Sequence, residues 1–305
     1  MKLQQLRFFT AVYEEGSFSA GAVRVNATQS GLSMQVRELE ERFGVQLLTR
    51  SSTGVRPTEA GRRFYAQAVK VLRASTEAEE VLRHAAGAIS GQVRIGLMPT
   101  FTRAVLAPAL LTFTRSHELV RVSVLEAYSS QLCDEVAKGA IDFAVVPAID
   151  GMLHVQATPM GTDREYLVSS PNHGPTHLTP IRLRDLQPLK LVLPSRANAR
   201  RVRIEAYLAA NGIEVDDILE LDAMLGTLDL VSTSDWMTIL PGILCAPDVD
   251  GRHRTLNPVE GPVLTVDYAM IEPSSKSLSQ AARAFASILQ EQLDGTLLWN
   301  PNAAI

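Results

Sequence analysis

Two groups of residues in this sequence have types and spacings that could do chemistry. The first is Thr28, Gln29, Ser30, Ser33, Met34 and Arg37 within TQSGLSMQVRELEERFG. Glutamine can pair with adenine through two hydrogen bonds, serine adapts as donor or acceptor, and arginine holds phosphate or guanine. The second is a series of short segments that follow apolar runs: Pro99, Thr100, Phe101 and Thr102; Ser129 and Ser130; Val146 and Pro147; Ser195 and Arg196. Hydroxyls beside the free N–H groups of helix starts suit a small anion or a polar organic molecule. The same hydroxyls also serve as plain helix caps.

The other chemistries lack their residues. The six histidines are scattered. In HGPTH, Gly174 and Pro175 keep His173 and His177 from aligning on a helix, so this stretch reads as a loop. There is no glycine-rich phosphate loop, H-E-x-x-H or G-x-S-x-G. No catalytic residue, metal ligand or cofactor is therefore expected. Cys133 and Cys245 are far apart and make no disulfide framework; both are expected to be buried. No run of about 18 apolar residues occurs, so no membrane span is expected. A cytoplasmic protein is the default.

The elements that must position the first group can be read from spacing. Leu3, Leu6, Phe9 and Val12 form one face of a first helix, which Gly16 ends. A short second helix over 18–25 buries Ala22 and Val23. Thr28 caps a third, whose stripe is Leu32, Val36, Leu39 and Phe43. That stripe leaves Ser30, Ser33, Met34 and Arg37 outside, with Gln29 at the exposed first turn. A solvated surface face accounts for the same residues. VQLLTRSSTGVRPT then reads as two short strands with Arg50 and Arg56 on the two arms, over a sugar-phosphate backbone if this is a wing. Net charge is −4 overall, yet up to Arg63 nine basic residues stand against six acidic ones. A basic head on an acidic body fits a nucleic-acid binder.

GSFSAGAVRVNATQSGLSMQVRELEERFGVQLLTRSSTGVRPTEAG closely resembles the winged helix-turn-helix of LysR-type transcriptional regulators, without a gap from Leu6 to Gly61. Gly31 stands where many members have alanine, and Ser51, Ser52 and Thr53 stand at a wing tip that is often basic. LLTRSSTGVRPTEAG, SGQVRIGLMP and LVLPSRANARRVRIEAYL look more like the nitrogen-assimilation-control branch than like the cysteine-biosynthesis branch.

From Thr58 to about Ala88 no proline interrupts the chain. Gly61, Phe64, Ala68, Val71, Ser75, Ala78, Leu82, Ala85 and Ile89 follow steps of three and four, which predicts a coiled-coil seam. After AGAISGQ the pattern changes to alternating strands and helices, expected to form parallel-type sheets. Two such series suggest two α/β Rossmann-like subdomains with a cleft between them, where the strand ends carry the second group of residues.

The resemblance implies the rest. The linker helix would pair with a second copy, and a dimer of dimers would form. The body would be a periplasmic-binding-protein-like effector domain that the chain crosses near 161–164 and 265–268. The expected divisions are a DNA-binding domain over 1–57, a linker helix over 58–89, one subdomain over 92–163 plus 267–300, and the other over 164–266. Partners would be double-stranded promoter DNA, a small organic or anionic effector and RNA polymerase, with no membrane. Trp236 stands where the family usually has a Gly-x-Gly turn, close to where the second subdomain faces the effector cleft; narrowing the pocket, stacking on a flat ligand and packing as core are all open there. The alternative is a cytoplasmic small-molecule-binding protein or enzyme that uses the α/β body, with the N-terminal helices serving for assembly alone.

Overall fold

The computed structural model describes residues 1–305 except 52–53, 86–88, 149–154, 187–188, 197, 297–298 and 301–305. The wing-tip residues Ser52 and Thr53 and the start of the expected hinge thus lie outside the described residues.

Three helices open the chain: α1 (Leu3–Glu15), α2 (Phe18–Arg24) and α3 (Gln29–Phe43). Ser17 caps α2 by accepting the Ala20 N–H at 3.3 Å, and Thr28 caps α3 by accepting the Gly31 N–H at 3.2 Å. Gly44 ends α3 at φ 64°, where a side chain would be strained. A hairpin follows, β1 (Leu48–Ser51) against β2 (Gly54–Pro57), with Arg50 opposite Val55. Glu40 of α3 accepts the N–H groups of Leu47 and Leu48 at 2.7 and 3.0 Å, which ties the hairpin to α3.

Leu6, Phe9 and Val12 pack with Phe18, Ala22, Leu32, Val36, Leu39, Leu47 and Leu48 in one core. Three residues expected on these faces are exposed: Leu3, Val23 and Phe43. Each lies where no second element covers it. Phe43 is the last residue of α3, and the short α2 buries Phe18, Gly21 and Ala22 instead.

A single helix, α4 (Glu59–Ala85), leaves the head. Gly61, Ala68 and Leu72 are buried against the head's own core. Tyr65 donates its hydroxyl to Glu14 at 2.6 Å and stacks on Tyr13 at 4.1 Å. The expected seam is therefore divided. Its early positions cover the head, Ile89 packs on the body, and Val71, Ala78 and Leu82 face outward, Leu82 at 73% exposure. A strict seven-residue repeat drifts around a straight helix, so one stripe meets the head first and open solvent later.

The body begins with β3 (Gly91–Leu97), α5 (Pro99–Phe101), a π-helical turn at Thr102–Leu106 and α6 (Ala107–Ser116). It continues with β4 (Val120–Glu126), α7 (Ser129–Ala137), β5 (Phe143–Pro147) and the long β6 (Val155–Ser169). Next come β7 (Leu189–Leu193), α8 (Ala199–Ala210), β8 (Val215–Glu220), α9 (Met224–Thr233), β9 (Thr238–Pro241) and α10 (Gly242–Cys245). The chain ends with β10 (Thr255–Pro258), β11 (Thr265–Pro273), α11 (Gln280–Asp294) and β12 (Trp299–Asn300).

The main sheet has the order β10-β6-β11-β5-β3-β4. Parallel pairing, expected throughout, occurs at β3–β4, β3–β5 and β7–β8, while β11 runs antiparallel to β5 and β6. The reason is the route of the chain: it leaves the first lobe along β6 and returns along β11, so these neighbours run in opposite directions. Up to Arg164, β6 pairs with β11; from Glu165 it pairs with β9, and from Tyr166 also with β10. One apolar core gathers Ile95, Leu97, Phe101, Phe113, Phe143 and Phe285. Two others, around Leu191 and Ile204 and around Val192 and Leu228, form the second lobe.

The short α10 is wedged between the lobes. Asp163 on β6 accepts the Ile243 N–H at 2.9 Å. From the π-helical turn, Arg103 donates to the Leu244 carbonyl and, at 2.7 Å, to Asp248, which also takes Arg254 at 2.9 Å. No helix among the described residues is long and apolar enough to cross a membrane.

Candidate nucleic-acid interface and ligand cleft

The first face is built by α3 and the hairpin. Because Leu32, Val36 and Leu39 face the core, the opposite side of α3 is open: Thr28, Gln29, Ser30, Met34 and Arg37 are exposed and Ser33 is half-buried. Gln29, Ser33 and Arg37 recur at steps of four and so stand in one row. Arg56 on β2 is exposed, and the register, with Arg56 opposite Thr49, puts it on the other face of the hairpin from Arg50. Arg50 on β1 is exposed and reaches back to this row, with Nη2 donating to Ser33 Oγ at 2.6 Å and its guanidinium 4.1 Å from the centre of the Phe18 ring.

The second face is a cavity of about 320 Å³ between the lobes. The first lobe lines it with Met98, Pro99, Thr100, Tyr128, Ser129 and Pro147, and the second with Asn198, Arg200, Arg203 and Met224. Thr265, Asp267 and Tyr268 of β11 complete it. Behind the wall lies Glu165, fully buried, with Arg200 Nη2 at 2.6 Å from Oε2 and Arg203 bonded to Oε1. Arg203 also donates to the Thr265 carbonyl at 3.0 Å, and Asp267 accepts the Thr162 hydroxyl. Burial, with Asp222 and Glu126 nearby, raises the Tyr128 phenol above its ordinary range, so it stays protonated as a donor. A larger space of about 690 Å³ separates the head from the first lobe. Its cations are matched by carboxylates, with Arg24 on Glu14 at 2.6 Å, Arg7 on Glu79 at 3.8 Å and Lys276 on Asp142 at 3.9 Å.

Comparison with known proteins bears on both faces. Residues 3–62 match the family model for the bacterial regulatory helix-turn-helix protein of the lysR family, and residues 86–294 match the LysR substrate binding domain. The chain belongs to the LysR family of transcriptional regulators. It is similar to the nitrogen assimilation regulatory protein nac of Klebsiella aerogenes, at 26% identity over 95% of this chain and 94% of that one. Among solved structures it resembles full-length OxyR of Pseudomonas aeruginosa (TM-score 0.59, 21% identity, 99% of this chain and 97% of that one). It also resembles full-length CbnR complexed with target DNA (TM-score 0.55, 21% identity, 96% and 99%). These two likenesses show the fold.

In this regulator Pro99, Thr100, Ser129 and Pro147 line the cleft, as the sequence suggests, and several expected neighbours do not. Phe101 and Val146 turn into the core of the first lobe, because one residue further along a helix or strand changes the face. Thr102 gives its hydroxyl to the Pro99 carbonyl and to Glu126, and Ser130 is exposed outside the lining. Beyond β7, Arg196 is exposed and the Ser195 N–H is held by Asp222 at 2.9 Å, away from the cavity. Trp236 is half-buried against the second lobe's apolar cluster of Val192 and Leu228, outside the cavity lining.

Sequence reasoning missed Arg200, Arg203, Met224, Thr265, Asp267 and Tyr268. The arginines three apart after the Asn198 cap were the readable signal, since that spacing puts both on one helix face. The β11 residues gave none, because their neighbours are distant in the chain.

His177 is structural: its Nε2 meets the Val249 carbonyl at 2.9 Å and its Nδ1 the Leu256 N–H at 3.1 Å. Cys245 is buried as expected, whereas Cys133 is half-buried; desolvation pushes both thiols up, away from the reactive thiolate. No cluster of metal-ligating residues occurs among the described residues.

Burial also pushes the Asp163 carboxyl, whose usual value is 3.8, up to about 8. Its Oδ1 is buried with no hydrogen-bond partner. The folded protein thus holds a proton here that the unfolded chain releases near pH 4, and this group lowers stability as pH rises from about 4 to 8. The advantage of Asp163→Asn over wild type should therefore grow between pH 5 and pH 8 in urea denaturation. An equal difference at both pH values would rule out a protonated Asp163.

Proposed function

We propose that this LysR-family regulator binds promoter DNA as a homo-oligomer through α3 and the hairpin, and that a small organic or anionic effector in the interlobe cleft modulates it. The observation that carries the DNA reading is the open row Gln29, Ser33 and Arg37, on a helix held to the hairpin by Glu40. Such a helix, N-terminus first, fits a major groove. Outward Val71 and Leu82 on α4 support pairing with a second copy, and the CbnR–DNA complex supports the DNA-bound state by analogy. Two heads would then meet half-sites about one helical turn apart, or a multiple of it. Residues 1–57 form the DNA-binding unit, 58–89 the linker helix, and 92–163 with 267–300 and 164–266 the two effector subdomains. We read the body as a binding module of a cytoplasmic regulator that also meets RNA polymerase.

For the effector, the cleft offers the Thr100 and Ser129 hydroxyls at two helix starts and the two arginines of α8. Its volume lies at the small end of ligand pockets, which suits a metabolite rather than a macromolecule. Occupancy would shift the population of interlobe arrangements, and α4 would carry the change to the heads.

The test is selection of duplexes from a randomised pool by the full chain, followed by binding at several salt concentrations. Gln29→Ala or Ser33→Ala should each cost about 1–3 kcal/mol of discrimination at one base pair. Arg56→Ala should weaken all duplexes alike and lower the salt slope by about one. Absence of any enriched sequence at moderate salt would return the alternative of a small-molecule-binding protein or enzyme.

A further inference from the structure

Arg50 carries a role that differs from the phosphate contact its place on the hairpin suggests. Three elements hold it. Its backbone belongs to β1, whose first residue, Leu48, is bound to Glu40 of α3 at 3.0 Å. Its guanidinium lies 4.1 Å from the centre of the Phe18 ring, and Phe18 is buried in the head's core. Its Nη2 donates to Ser33 Oγ at 2.6 Å. Although Arg50 is exposed, a cation over an anchored ring and engaged along one edge is held toward α3, unlike a cation with no protein partner.

The consequence falls on Ser33. A serine hydroxyl has one proton to donate and two lone pairs to accept with. Arg50 takes one lone pair and faces the oxygen with positive charge. The hydroxyl proton therefore points away from Arg50, toward the open side of α3. Base amino groups, which are donors, meet an oxygen already turned to a cation. Base acceptors meet a proton. In the major groove those acceptors are guanine N7 and O6, adenine N7 and thymine O4, whereas the cytosine N4 and adenine N6 amino groups are donors.

We propose that Arg50 is a positioning residue for base reading: it holds Ser33 as a hydrogen-bond donor to an acceptor on a base edge. This rests on the reading of α3 as the helix that enters the groove. Arg56, exposed on the other arm, is left as the phosphate contact of the hairpin.

The experiment uses the full chain, its selected duplex and a scrambled duplex of equal length. Dissociation constants are measured against salt for wild type, Ser33→Ala, Arg50→Ala and Arg50→Lys, and each variant is passed through the randomised selection. Ser33→Ala and Arg50→Ala should lose preference at the same base pair, by about tenfold. Arg50→Ala should leave the scrambled duplex and the salt slope unchanged. Arg50→Lys keeps the charge but not the stacked fork, so it should keep the slope and still lose the preference. It also carries the test if Arg50→Ala does not fold.

The proposal is overturned if Arg50→Ala weakens all duplexes equally and lowers the slope by about one while the Ser33 position keeps its preference. Full recovery of the preference by Arg50→Lys would overturn it too. Failure of the groove reading has a different signature: wild type enriches no sequence, or Gln29→Ala and Ser33→Ala change no base preference.

Discussion

Gly61→Ala is expected to destabilise the DNA-binding head by about 1–3 kcal/mol, although alanine is the better helix former. A Cβ at Gly61 would lie 2.1 Å from the Leu47 carbonyl oxygen and 3.1 Å from its carbonyl carbon. Leu47 has no room to withdraw. Its N–H is held by Glu40 at 2.7 Å, and its carbonyl accepts the Thr58 N–H at 2.9 Å and the Thr58 hydroxyl at 3.1 Å. The added methyl group must push α4 away from the hairpin, which opens the core that Ala68 and Leu72 close. For a domain of this size the loss is a fall in melting temperature of roughly 5–15 °C. Calorimetry should show it in the head, with the body's transition in place and DNA affinity reduced. Gly226→Ala is the control, because its nearest neighbours would stand at 3.6 and 3.8 Å, ordinary contact distances. A head that melts at the wild-type temperature in Gly61→Ala would disprove the close approach.

Glu165→Gln is expected to be the costliest conservative change in the body. The carboxylate is fully buried and faces two guanidinium groups, those of Arg200 and Arg203. Removing one partner of a buried pair costs about 3–5 kcal/mol, because the other charge stays behind unmatched. Here two cations are left. Their side chains keep 17% and 32% exposure, which lets water offset part of the loss, so about 3 kcal/mol is the expected figure. In a body of about 200 residues that lowers the melting temperature by roughly 6–12 °C. Since both arginines line the cleft, the variant should also change ligand binding there. Asp235→Asn, which breaks the exposed Lys190–Asp235 pair, should leave the melting temperature unchanged. Equal melting of Glu165→Gln and Asp235→Asn would show that Glu165 does not neutralise the α8 arginines.

These expectations differ in how far the sequence foretold them. The α3 face was legible because helical period and capping are local. Once Leu32, Val36 and Leu39 are inside, Ser30, Met34 and Arg37 fall on the open side, Ser33 on its edge, and Gln29 is exposed because it lies in the first turn. The alternation of strands and helices likewise suggested two α/β lobes, and the resemblance of the N-terminal stretch pointed to the family.

Contacts between distant segments were not legible. The direction of β11 follows from where the chain re-enters the first lobe. The clamp of Glu165 on Arg200 and Arg203 joins residues 35 and 38 positions apart, and Arg103 reaches Asp248 across 145. Phe101 was placed near the ligand by proximity in sequence and Trp236 by its place in a family turn; packing puts Phe101 in the first lobe's core and sets Trp236, half-buried, against the second lobe's cluster. Arg50 was read as a backbone contact from its place on a hairpin arm, and its contacts with Phe18 and Ser33, on two other elements, could not be read from that place. By itself the sequence determined the local elements and the faces they show, because hydrogen bonding within a helix and burial of an apolar stripe depend on near neighbours. Which faces meet, and which charges are thereby paired or left for DNA and ligand, was decided by tertiary structure alone, since desolvation and ion pairing depend on distance in space.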